Sequence, residues 1–522
     1  MHNHLRPGDP ASLLTLARRD RERDHLASGH AVDVLVVGGG VTGTGVALDA
    51  ATRGMTVALI EAHDFAYGTS RWSSKMIHGG LRYLATGQVG VAWESSTERA
   101  LIATTIAPHL VRAFPQLIPD FTDSTTKERV LARAGLLAGD ALRRGTRLPK
   151  SVMPSPRRIS AAEAIRLAPA LPAHRLRGAV LGWDGALEDD ARLVVAIART
   201  AAAYGAIMLT RTTASEIDSD GATVQDTLAG GSYRINAKHV INATGVWAGT
   251  LDQRVTLSPS RGTHVVLRAR DLGHPTAAIT VPVPGHLGRF VFALPQPNGL
   301  IYVGLTDVPA PGPIADVPAA TQDEIDWILD VLSQGLQRPI DRSQIVGSFA
   351  GLRPLVTASD DQESADISRR HLVLGGPGEV VTVTGGKLTT YRRMAQDAVD
   401  RITDVPCVTS TVPLVGAGPN PANAGLPARL VRRFGAEAGL VAALADGDQR
   451  LLEPLTGADG NVVDVLGVEL LWGVQAELGM TLADLLERRT RVSMVPADLA
   501  AVAPQAQQIL ADSGQLLATV GT

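Results

Sequence analysis

The chain has 522 residues, of which 45% are hydrophobic and 19% charged, and its formal net charge of −3 argues against nucleic acid as a general partner. One cysteine, Cys407, excludes a disulfide framework and suits the cytoplasm, and no run approaches the roughly 18 apolar residues of a membrane span. Residues 1–30 mix arginines with acids and are predicted to be a poorly ordered N-terminal extension.

A glycine-rich turn follows the first apolar strand. That predicted strand ends at Val37, and the chain then turns through Gly38, Gly40 and Gly43 into a helix. Gly38 allows the tight turn, Gly40 lets the backbone approach a pyrophosphate, and Gly43 permits close helix–strand packing. The next strand delivers Glu61, whose carboxylate can bind an adenosine ribose. An ordinary βα turn also carries glycines, but this order of elements indicates a dinucleotide.

Residues 68–84 form a polar run where a third strand would be expected. Small hydroxyl residues and bare backbone suit a long cofactor lying extended across the domain, which favours FAD over NAD. A solvated loop is the alternative, although it explains the spacing of the larger side chains poorly. The residues of interest in this run are Ser73, Ser74, His78, Gly80, Arg82 and Tyr83.

The remaining elements are predicted from periodicity and turn residues. They are a helix at 91–113 with Glu98 and Arg99 exposed, a helix at 189–204, strands at 207–241 ending in Asn242–Gly245, an antiparallel sheet at 255–310, a helix at 320–337, strands near 345 and 371–384, a helix at 387–403, and helices at 425–512. Residues 375–378 read as a hairpin turn. Without a second phosphate-binding turn, NAD(P)H is not expected as the reductant.

A basic segment interrupts this series at residues 127–158. It holds nine cations and two acids, with leucines among them. Such a segment is typical of a surface attracted to anionic lipid, and a solvated basic loop is the alternative. The leucines are Leu131, Leu136, Leu137 and Leu142.

Four ordered blocks resemble the signature of the respiratory, FAD-dependent glycerol-3-phosphate dehydrogenases. They are Ser-Ser-Lys-Met-Ile-His-Gly-Gly-Leu-Arg-Tyr-Leu at 73–84, Arg-Gly-Thr-His-Val-Val at 261–266, Gly-Leu-Arg-Pro-Leu at 351–355 and Gly-Gly-Lys-Leu-Thr-Thr-Tyr-Arg at 385–392. The resemblance runs from about residue 31 to about 400. Leu305 departs from the family pattern, which usually has threonine there, and residues 110–160 and those after 410 match loosely.

The resemblance implies a mixed α/β and α+β architecture behind the N-terminal extension. A Rossmann-like FAD-binding domain would comprise 31–95, 175–250 and 345–405. An antiparallel-sheet domain facing the substrate and membrane would comprise 96–174 and 251–344. Residues 406–522 would form a C-terminal helical domain.

The resemblance also implies the site residues, and no metal is expected among them. FAD would be held by Gly38, Gly40, Gly43, Glu61, Ser73, Ser74, His78, Gly80, Gly245, Gly386, Lys387, Leu388 and Thr389. Glycerol 3-phosphate would be bound by Arg82, Tyr83, His264, Arg353, Arg369 and Lys387, with Arg82, His264, Arg353 and Lys387 at the reacting centre.

The side-chain chemistry suits these assignments. Arginine binds phosphate bidentately, and Lys387 beside a helix N-terminus can stabilise negative charge on the flavin. His264 is either the base that takes the hydroxyl proton or a hydrogen-bonding residue that only orients the hydroxyl. His78 is expected to be structural or to contact the flavin.

The expected reaction is oxidation of sn-glycerol 3-phosphate to dihydroxyacetone phosphate, with electrons passing through FAD to a membrane quinone. An oxidase that uses O₂ is one alternative, and a flavin-binding protein without activity is another. Because quinone is lipid-soluble, we expect a cytoplasmic protein lying peripherally on anionic lipid at the inner face of the cell membrane. A homodimer is kept open.

Overall fold

A mostly parallel sheet surrounds the glycine-rich turn. The computed structural model describes residues 5–80, 87–286, 289–356, 371–420 and 423–518. The sheet has the order β17-β18-β10-β1-β2-β7, and β9 joins β8 to β10. Its strands, numbered in chain order, are β1 (Val32–Val37), β2 (Val57–Glu61), β7 (Ile207–Thr210), β8 (Thr212–Asp218), β9 (Gly221–Asp226), β10 (Ser232–Asn242), β17 (His371–Leu374) and β18 (Val381–Gly385).

Both faces of this sheet are buried, as a parallel sheet requires. Helices α2, α6 and α9 cover one face, and α1 with the β8–β9 hairpin covers the other. The α-helices of the described chain are α1 (Leu16–Ala27), α2 (Val41–Thr52), α3 (Val89–Leu101), α4 (Thr126–Gly145), α5 (Ala161–Leu167), α6 (Asp190–Ala203), α7 (Ala248–Leu251), α8 (Gln322–Gln334), α9 (Tyr391–Val399), α10 (Ala428–Phe434), α11 (Ala438–Ala443), α12 (Gly467–Ala476) and α13 (Pro496–Asp512).

A second sheet follows the order β15-β11-β14-β13-β12-β4-β6-β3, with β16 paired to β11 and β5 paired to β6. Its pairs are antiparallel except β12 with β4, so the antiparallel sheet predicted at 255–310 is confirmed. Helices α5 and α8 pack on one face. The strands are β3 (Met76–Ile77), β4 (Val111–Phe121), β5 (Arg157–Ser160), β6 (Leu176–Leu187), β11 (Ser260–Arg268), β12 (Ala278–Pro282), β13 (Phe290–Pro295), β14 (Leu300–Gly304), β15 (Val308–Pro309) and β16 (Ile345–Arg353).

Strands β3, β6 and β16 belong to this second sheet, whereas the sequence grouped their residues with the FAD-binding segments. β16 pairs with β11 along its whole length, and β6 pairs with β4 over eleven positions. The sequence of a short apolar strand does not show which sheet the strand joins, because pairing depends on segments that are distant in sequence. The division of the chain into domains therefore stays a prediction.

The expectation of a poorly ordered N-terminal extension was wrong for the described residues. Thr15 caps α1 by accepting a hydrogen bond from the Arg18 amide. Arg19 is 1% exposed; its guanidinium lies 3.0 Å from Asp226 and donates to the Thr210 carbonyl. The ion pair with Asp226 explains why Arg19 is buried, although composition alone predicts an exposed arginine.

Helix α3 also differs from its prediction, since Glu98 and Arg99 are buried. The Arg392 Nε donates to Glu98 at 2.8 Å, and the Arg99 Nη1 donates to Asp184 at 2.6 Å. The predicted helix ends earlier than expected, because β4 begins at Val111. A pair of charges in the sequence indicates exposure only when no distant partner neutralises them.

The C-terminal helices were predicted correctly, and the structure adds a hairpin of β19 (Pro454–Thr456) and β20 (Val462–Leu466). Buried ion pairs join this region to the first sheet. Asp64, which follows β2, accepts hydrogen bonds from the Arg488 Nε at 2.6 Å and from the Arg489 Nη1 at 2.8 Å. Likewise Glu477 accepts from Arg192 at the start of α6.

Within the described residues, no helix combines the length and apolar character needed to cross a bilayer.

We expect Asp64→Asn to destabilise the fold by about 3–5 kcal/mol, because two buried guanidiniums lose their carboxylate. Burial raises the pKa of Asp64, but Arg489 and Arg488 outweigh it and lower that pKa to about 2, against an ordinary 3.8. The stabilisation is therefore present above about pH 4 and is lost as the pH falls towards 2. Thermal unfolding of both proteins across this range measures the difference.

Asp448→Asn is the matched control, because its partner Arg450 is 83% exposed. It should leave the melting temperature nearly unchanged at every pH. A difference for Asp64→Asn that stays constant from pH 6 to pH 2 would contradict the assigned ion pairs.

Candidate functional site

The turn after β1 is built by close backbone contacts. Gly38 has a φ of +112°, which favours glycine. A Cβ on Gly43 would lie 1.8 Å from the Gly38 carbonyl oxygen, so α2 could not pack this closely with any other residue. Gly40 stands at the N-cap of α2 and offers no side chain to the free amides there. This leaves the positive end of a twelve-residue helix open to an anion.

The turn opens into a cavity of about 2180 Å³. Typical ligand pockets measure about 300–1,000 Å³, so this one has room for a dinucleotide and a substrate together. Nearly all described site residues line it; Gly43 lies behind the turn instead. The predicted residues in its wall are Gly38, Gly40, Glu61, Ser73, Ser74, His78, Gly80, Gly245, His264, Arg353, Gly386, Lys387, Leu388 and Thr389.

Glu61 lies at the end of β2 and faces the turn. Its carboxylate accepts hydrogen bonds from the Gly39 amide at 2.6 Å and the His63 amide at 2.8 Å. Burial raises the pKa of Glu61 despite these donors. The His63 and Tyr67 rings stack with centroids 3.8 Å apart beside it. The carboxylate is therefore fixed in orientation at the edge of the cavity.

Residues 69–77 are held from behind by buried charges. Asp190 at the start of α6 accepts hydrogen bonds from the Ser73 amide and hydroxyl, and from the Lys75 Nζ at 2.7 Å. Burial lowers the pKa of Lys75 to about 8 although Asp190 opposes this. The Lys75 Nζ also donates to the Arg71 carbonyl. The segment is thus a fixed wall of the cavity rather than a solvated loop.

His264 lies on β11 and is 2% exposed. Its Nε2 is 2.9 Å from the Ser74 hydroxyl, and its ring stacks on Phe349 with centroids 4.6 Å apart. Its Nδ1 has no hydrogen-bond partner among the described residues. Burial lowers the pKa of His264 to about 3, and Lys75 and Arg353 add to the shift. The imidazole is therefore neutral at pH 7.

Arg353 ends β16 and lies flat over β11. Its Nη1 donates to Asp307 at 2.9 Å and to the Ser260 hydroxyl at 3.2 Å, and its Nη2 donates to the Thr306 carbonyl at 3.1 Å. A Cβ on Gly262 would lie 2.3 Å from that Nη2, so glycine makes room for the guanidinium. The side chain is held in place at the cavity wall.

Lys387 follows two glycines with positive φ, Gly385 and Gly386. The turn leads through a short 3₁₀ segment into α9, so the helix predicted at 387–403 is present but shorter. The Lys387 Nζ donates to the Ser95 hydroxyl of α3 at 2.9 Å. Arg82, Tyr83 and Arg369, which were expected beside it, lie outside the described residues.

The basic segment is only partly a surface. Arg143 is buried, its Nε donates to Asp140 at 2.8 Å and its Nη1 donates to the Leu148 carbonyl. Leu142 is buried too, whereas Leu137 is 69% exposed. Residues Arg144, Arg147 and Lys150 are exposed. Fewer basic residues of this segment are therefore exposed than its charge count suggests, because Arg143 holds α4 to the loop that follows.

Several wall residues were not singled out from the sequence. The Ser70 hydroxyl accepts from the Val41 amide at 2.9 Å, so it caps α2 from a separate loop. Trp72 and Asp307 line the cavity, and Asp307 fixes Arg353. A serine before two more hydroxyls was a usable signal for Ser70. Nothing local marks Asp307, whose partner is 46 residues away.

Comparisons with known proteins identify matching families and relatives. The family model for FAD dependent oxidoreductases matches residues 33–392, and that for the C-terminal domain of alpha-glycerophosphate oxidase matches residues 407–516. "Glycerol-3-phosphate dehydrogenase 1" of Mycobacterium tuberculosis is 47% identical over 514 residues, which cover 96% of this chain and 99% of that protein.

Two solved structures are also similar. The FAD complex of the Bacillus halodurans glycerol-3-phosphate dehydrogenase has a TM-score of 0.70 at 25% identity and covers 95% of this chain and 93% of that one. The Mycoplasma pneumoniae L-alpha-glycerophosphate oxidase with FAD bound shares the fold, with a TM-score of 0.54, 21% identity and coverage of 71% and 94%.

Fold, glycine turn and family model together define an FAD-dependent oxidoreductase with a two-sheet body. The mycobacterial glycerol-3-phosphate dehydrogenase is similar over almost the whole of both chains. This similarity identifies the family within that class of oxidoreductases. The chain belongs to the FAD-dependent glycerol-3-phosphate dehydrogenase family.

The cavity fits FAD on its own chemistry. The N-terminus of α2, where Gly40 has no side chain, would receive the pyrophosphate, and Glu61 would receive the ribose hydroxyls. The wall of residues 73–80 and the turn at Gly386 would flank the rest of the cofactor.

We expect Gly43→Ala to weaken FAD binding roughly tenfold or more. The added methyl group would overlap the Gly38 carbonyl and push α2 away from β1, an overpacking that costs about 1–3 kcal/mol. The measurement is FAD released per chain after purification, together with titration of the apoprotein. Gly439→Ala in α11 is the control, since a Cβ there meets nothing within 4 Å. Equal FAD content in both variants would contradict the packing argument.

Proposed function

We propose that this protein oxidises sn-glycerol 3-phosphate to dihydroxyacetone phosphate and transfers the electrons to a membrane quinone. The observation that carries the proposal is that His264, Arg353 and Lys387 line the same cavity as the glycine turn. A protein that only bound flavin would need the turn and Glu61, but not three further cationic or basic groups within one wall.

Arg353 is proposed to bind the substrate phosphate. A guanidinium offers forked donors to phosphate, and this one is pre-oriented by Asp307 and Ser260. Pre-orientation lowers the entropy lost on binding. Arg82, Tyr83 and Arg369 remain proposed partners from the family resemblance.

His264 is proposed to hold the substrate hydroxyl. A neutral imidazole can accept a hydrogen bond from that hydroxyl, and the Ser74 hydroxyl fixes the ring. A pKa near 3 makes the ring a weak base, which favours orientation over proton removal. FAD, when bound, supplies the hydride acceptor, and Lys387 would add positive charge near it.

The outer face of α4 supports contact with a lipid surface. Residues 130, 134, 137, 141 and 144 recur at helical spacing, and all are exposed. Val130 is 58% and Leu137 is 69% exposed. Trp93 of α3 is 49% exposed and lies beside Gly145. We define this docking surface as Val130, Leu137, Trp93, Arg144, Arg147 and Lys150.

Basic residues at one end of an exposed apolar stripe match an anionic membrane, in which the apolar side chains insert and the cations meet headgroups. We therefore propose that the protein lies peripherally at the inner face of the cell membrane, where a lipid-soluble acceptor is available.

The function is tested by mixing the FAD-loaded protein with glycerol 3-phosphate in the absence of oxygen. We expect the flavin absorbance to bleach, and to recover when a quinone is added. Arg353→Ala should raise the substrate concentration for half-bleaching by roughly 10- to 150-fold, the equivalent of about 1.5–3 kcal/mol for a charged hydrogen bond. FAD content should be unchanged.

His264→Ala separates the two roles of the histidine. A rate of bleaching reduced roughly 10²–10⁴-fold at saturating substrate would assign it as the base. A raised substrate requirement with a near-normal rate would assign it to orientation. No bleaching by the parent protein would refute the dehydrogenase, and rapid peroxide release with no response to quinone would make it an oxidase.

The docking surface is tested with vesicles. We expect the parent protein to pellet with anionic vesicles and weakly with neutral ones. Changing Arg144, Arg147 and Lys150 together to Glu should lower binding to anionic vesicles by about 100-fold or more, at roughly 1 kcal/mol per basic residue. Arg143 is left intact because it is buried and paired.

The matched control changes Lys238, Arg401 and Arg450 to Glu, which alters the net charge equally at exposed positions elsewhere. This control should still bind. Binding by the Arg144, Arg147, Lys150 variant equal to that of the control would mean that α4 is a solvated basic helix.

A further inference from the structure

One face of the second sheet forms a continuous floor within the cavity. His264 on β11 pairs with Gly304 on β14, which pairs in turn with Phe292 on β13. Phe292 pairs with Thr280 on β12. Since directly paired residues project to the same face, these positions form one row across four strands.

The row continues to the far edge of the sheet. The parallel register of β12 and β4 sets Thr280 beside Ile118. Ile118 pairs with Val180 on β6, and Val180 pairs with Arg158 on β5. Every residue of the row except Gly304 lines the cavity. Six steps between neighbouring strands, at about 4.8 Å each, give a floor roughly 29 Å long.

The middle of this floor is apolar and roofed. Phe292, Ile118 and Val180 are each half-buried along it. Helix α4 lies above this floor. A Cβ on Gly182 would be 2.6 Å from the Leu136 Cδ2, so the absence of a side chain at Gly182 lets α4 approach the sheet closely. We call this passage the trough, with Phe292, Thr280, Ile118 and Val180 as floor and Leu136 as roof.

Cationic side chains lie at both ends of the trough. His264 lies at the inner end, close to Arg353 and the flavin-binding wall. At the outer end the cavity is lined by Arg129 of α4, by Arg158 and by Arg175. The docking surface lies on the outer face of the same helix. The apolar middle of the trough, three strand steps or roughly 14 Å from Phe292 to Val180, suits poorly a small dianion such as the substrate, which loses hydration beside hydrocarbon without gaining donors.

We propose that the trough binds the isoprenoid tail of the quinone, with the headgroup at the inner end and the tail leaving under α4 towards lipid. This inference rests on the quinone-linked function proposed above. Glycerol 3-phosphate loses two electrons and two protons to become dihydroxyacetone phosphate, and the quinone gains both pairs to become quinol. The tail contributes affinity by burying apolar surface along the row.

The test places a bulky side chain in the trough, far from His264. Val180→Trp in the FAD-loaded protein should raise the apparent KM for a quinone with a long isoprenoid tail by roughly 5- to 100-fold, the range for a steric clash of about 1–3 kcal/mol. Turnover with a quinone that lacks the tail, and anaerobic bleaching by glycerol 3-phosphate, should be unchanged. The rise in melting temperature on adding the tailed quinone should shrink as well.

Arg177→Trp is the matched control, because Arg177 is exposed on the same strand and does not line the cavity. It should behave as the parent. If Val180→Trp does not fold, Ile118→Phe narrows the same point from β4. Equal KM values for the tailed quinone in parent and trough variants would overturn the inference. So would equal losses with tailed and tail-free quinones, whereas a parent that reduces no quinone would instead refute the proposed function.

Discussion

The shape of the cofactor wall depends on carboxylates neutralised by arginines from the far end of the chain. Asp64 is fully buried and receives three hydrogen bonds from Arg488 and Arg489. The Arg491 guanidinium donates to the Arg71 carbonyl, which also receives the Lys75 ammonium. Between Asp64 and Lys75 the chain therefore has few alternative positions, because moving it would leave a buried charge without its partner.

This ionic cluster explains why the wall of the cavity can be polar and yet rigid. Asp190 holds Ser73 and Lys75, and the neighbouring Ser74 hydroxyl then meets His264. The histidine is neutral because it is buried among cations, so its charge state follows from the same cluster that fixes its position. Lys75 thus contributes both to the position of this wall and to the charge state of His264.

Much of the fold could be predicted from the sequence because its strongest signals are local. The glycine turn, Glu61, the helix after Asp189 and the hairpin at 375–378 each depend on neighbours within a few residues. The sheet membership of β6 and β16 could not be predicted, since strand pairing is decided by distant segments. Buried Arg19, Glu98, Arg99 and Arg143 were misread for the same reason.

The candidate site could likewise be predicted only in part, because some of its residues depend on distant partners. Gly38 and Glu61 were predicted from residue type and spacing, and His264 and Arg353 from the blocks that resemble the family; all four line one cavity. Their supporting partners were not found: Asp190, Asp307 and Ser70 act through contacts that cross large separations in sequence. A motif reports the groups that meet a ligand, whereas the groups that hold them in place are set by the tertiary structure.

The distance along the chain between Asp64 and its partners has a consequence for biosynthesis. Arg488 and Arg489 follow Asp64 by 424 and 425 residues. On the ribosome the βαβ unit that carries Glu61 emerges first, but the loop behind it keeps an uncompensated carboxylate until nearly the whole polypeptide has been made. The nucleotide-binding end of the molecule is thus completed last, and a nascent chain interrupted in its final segment would have a cofactor loop with no counter-charge to close it.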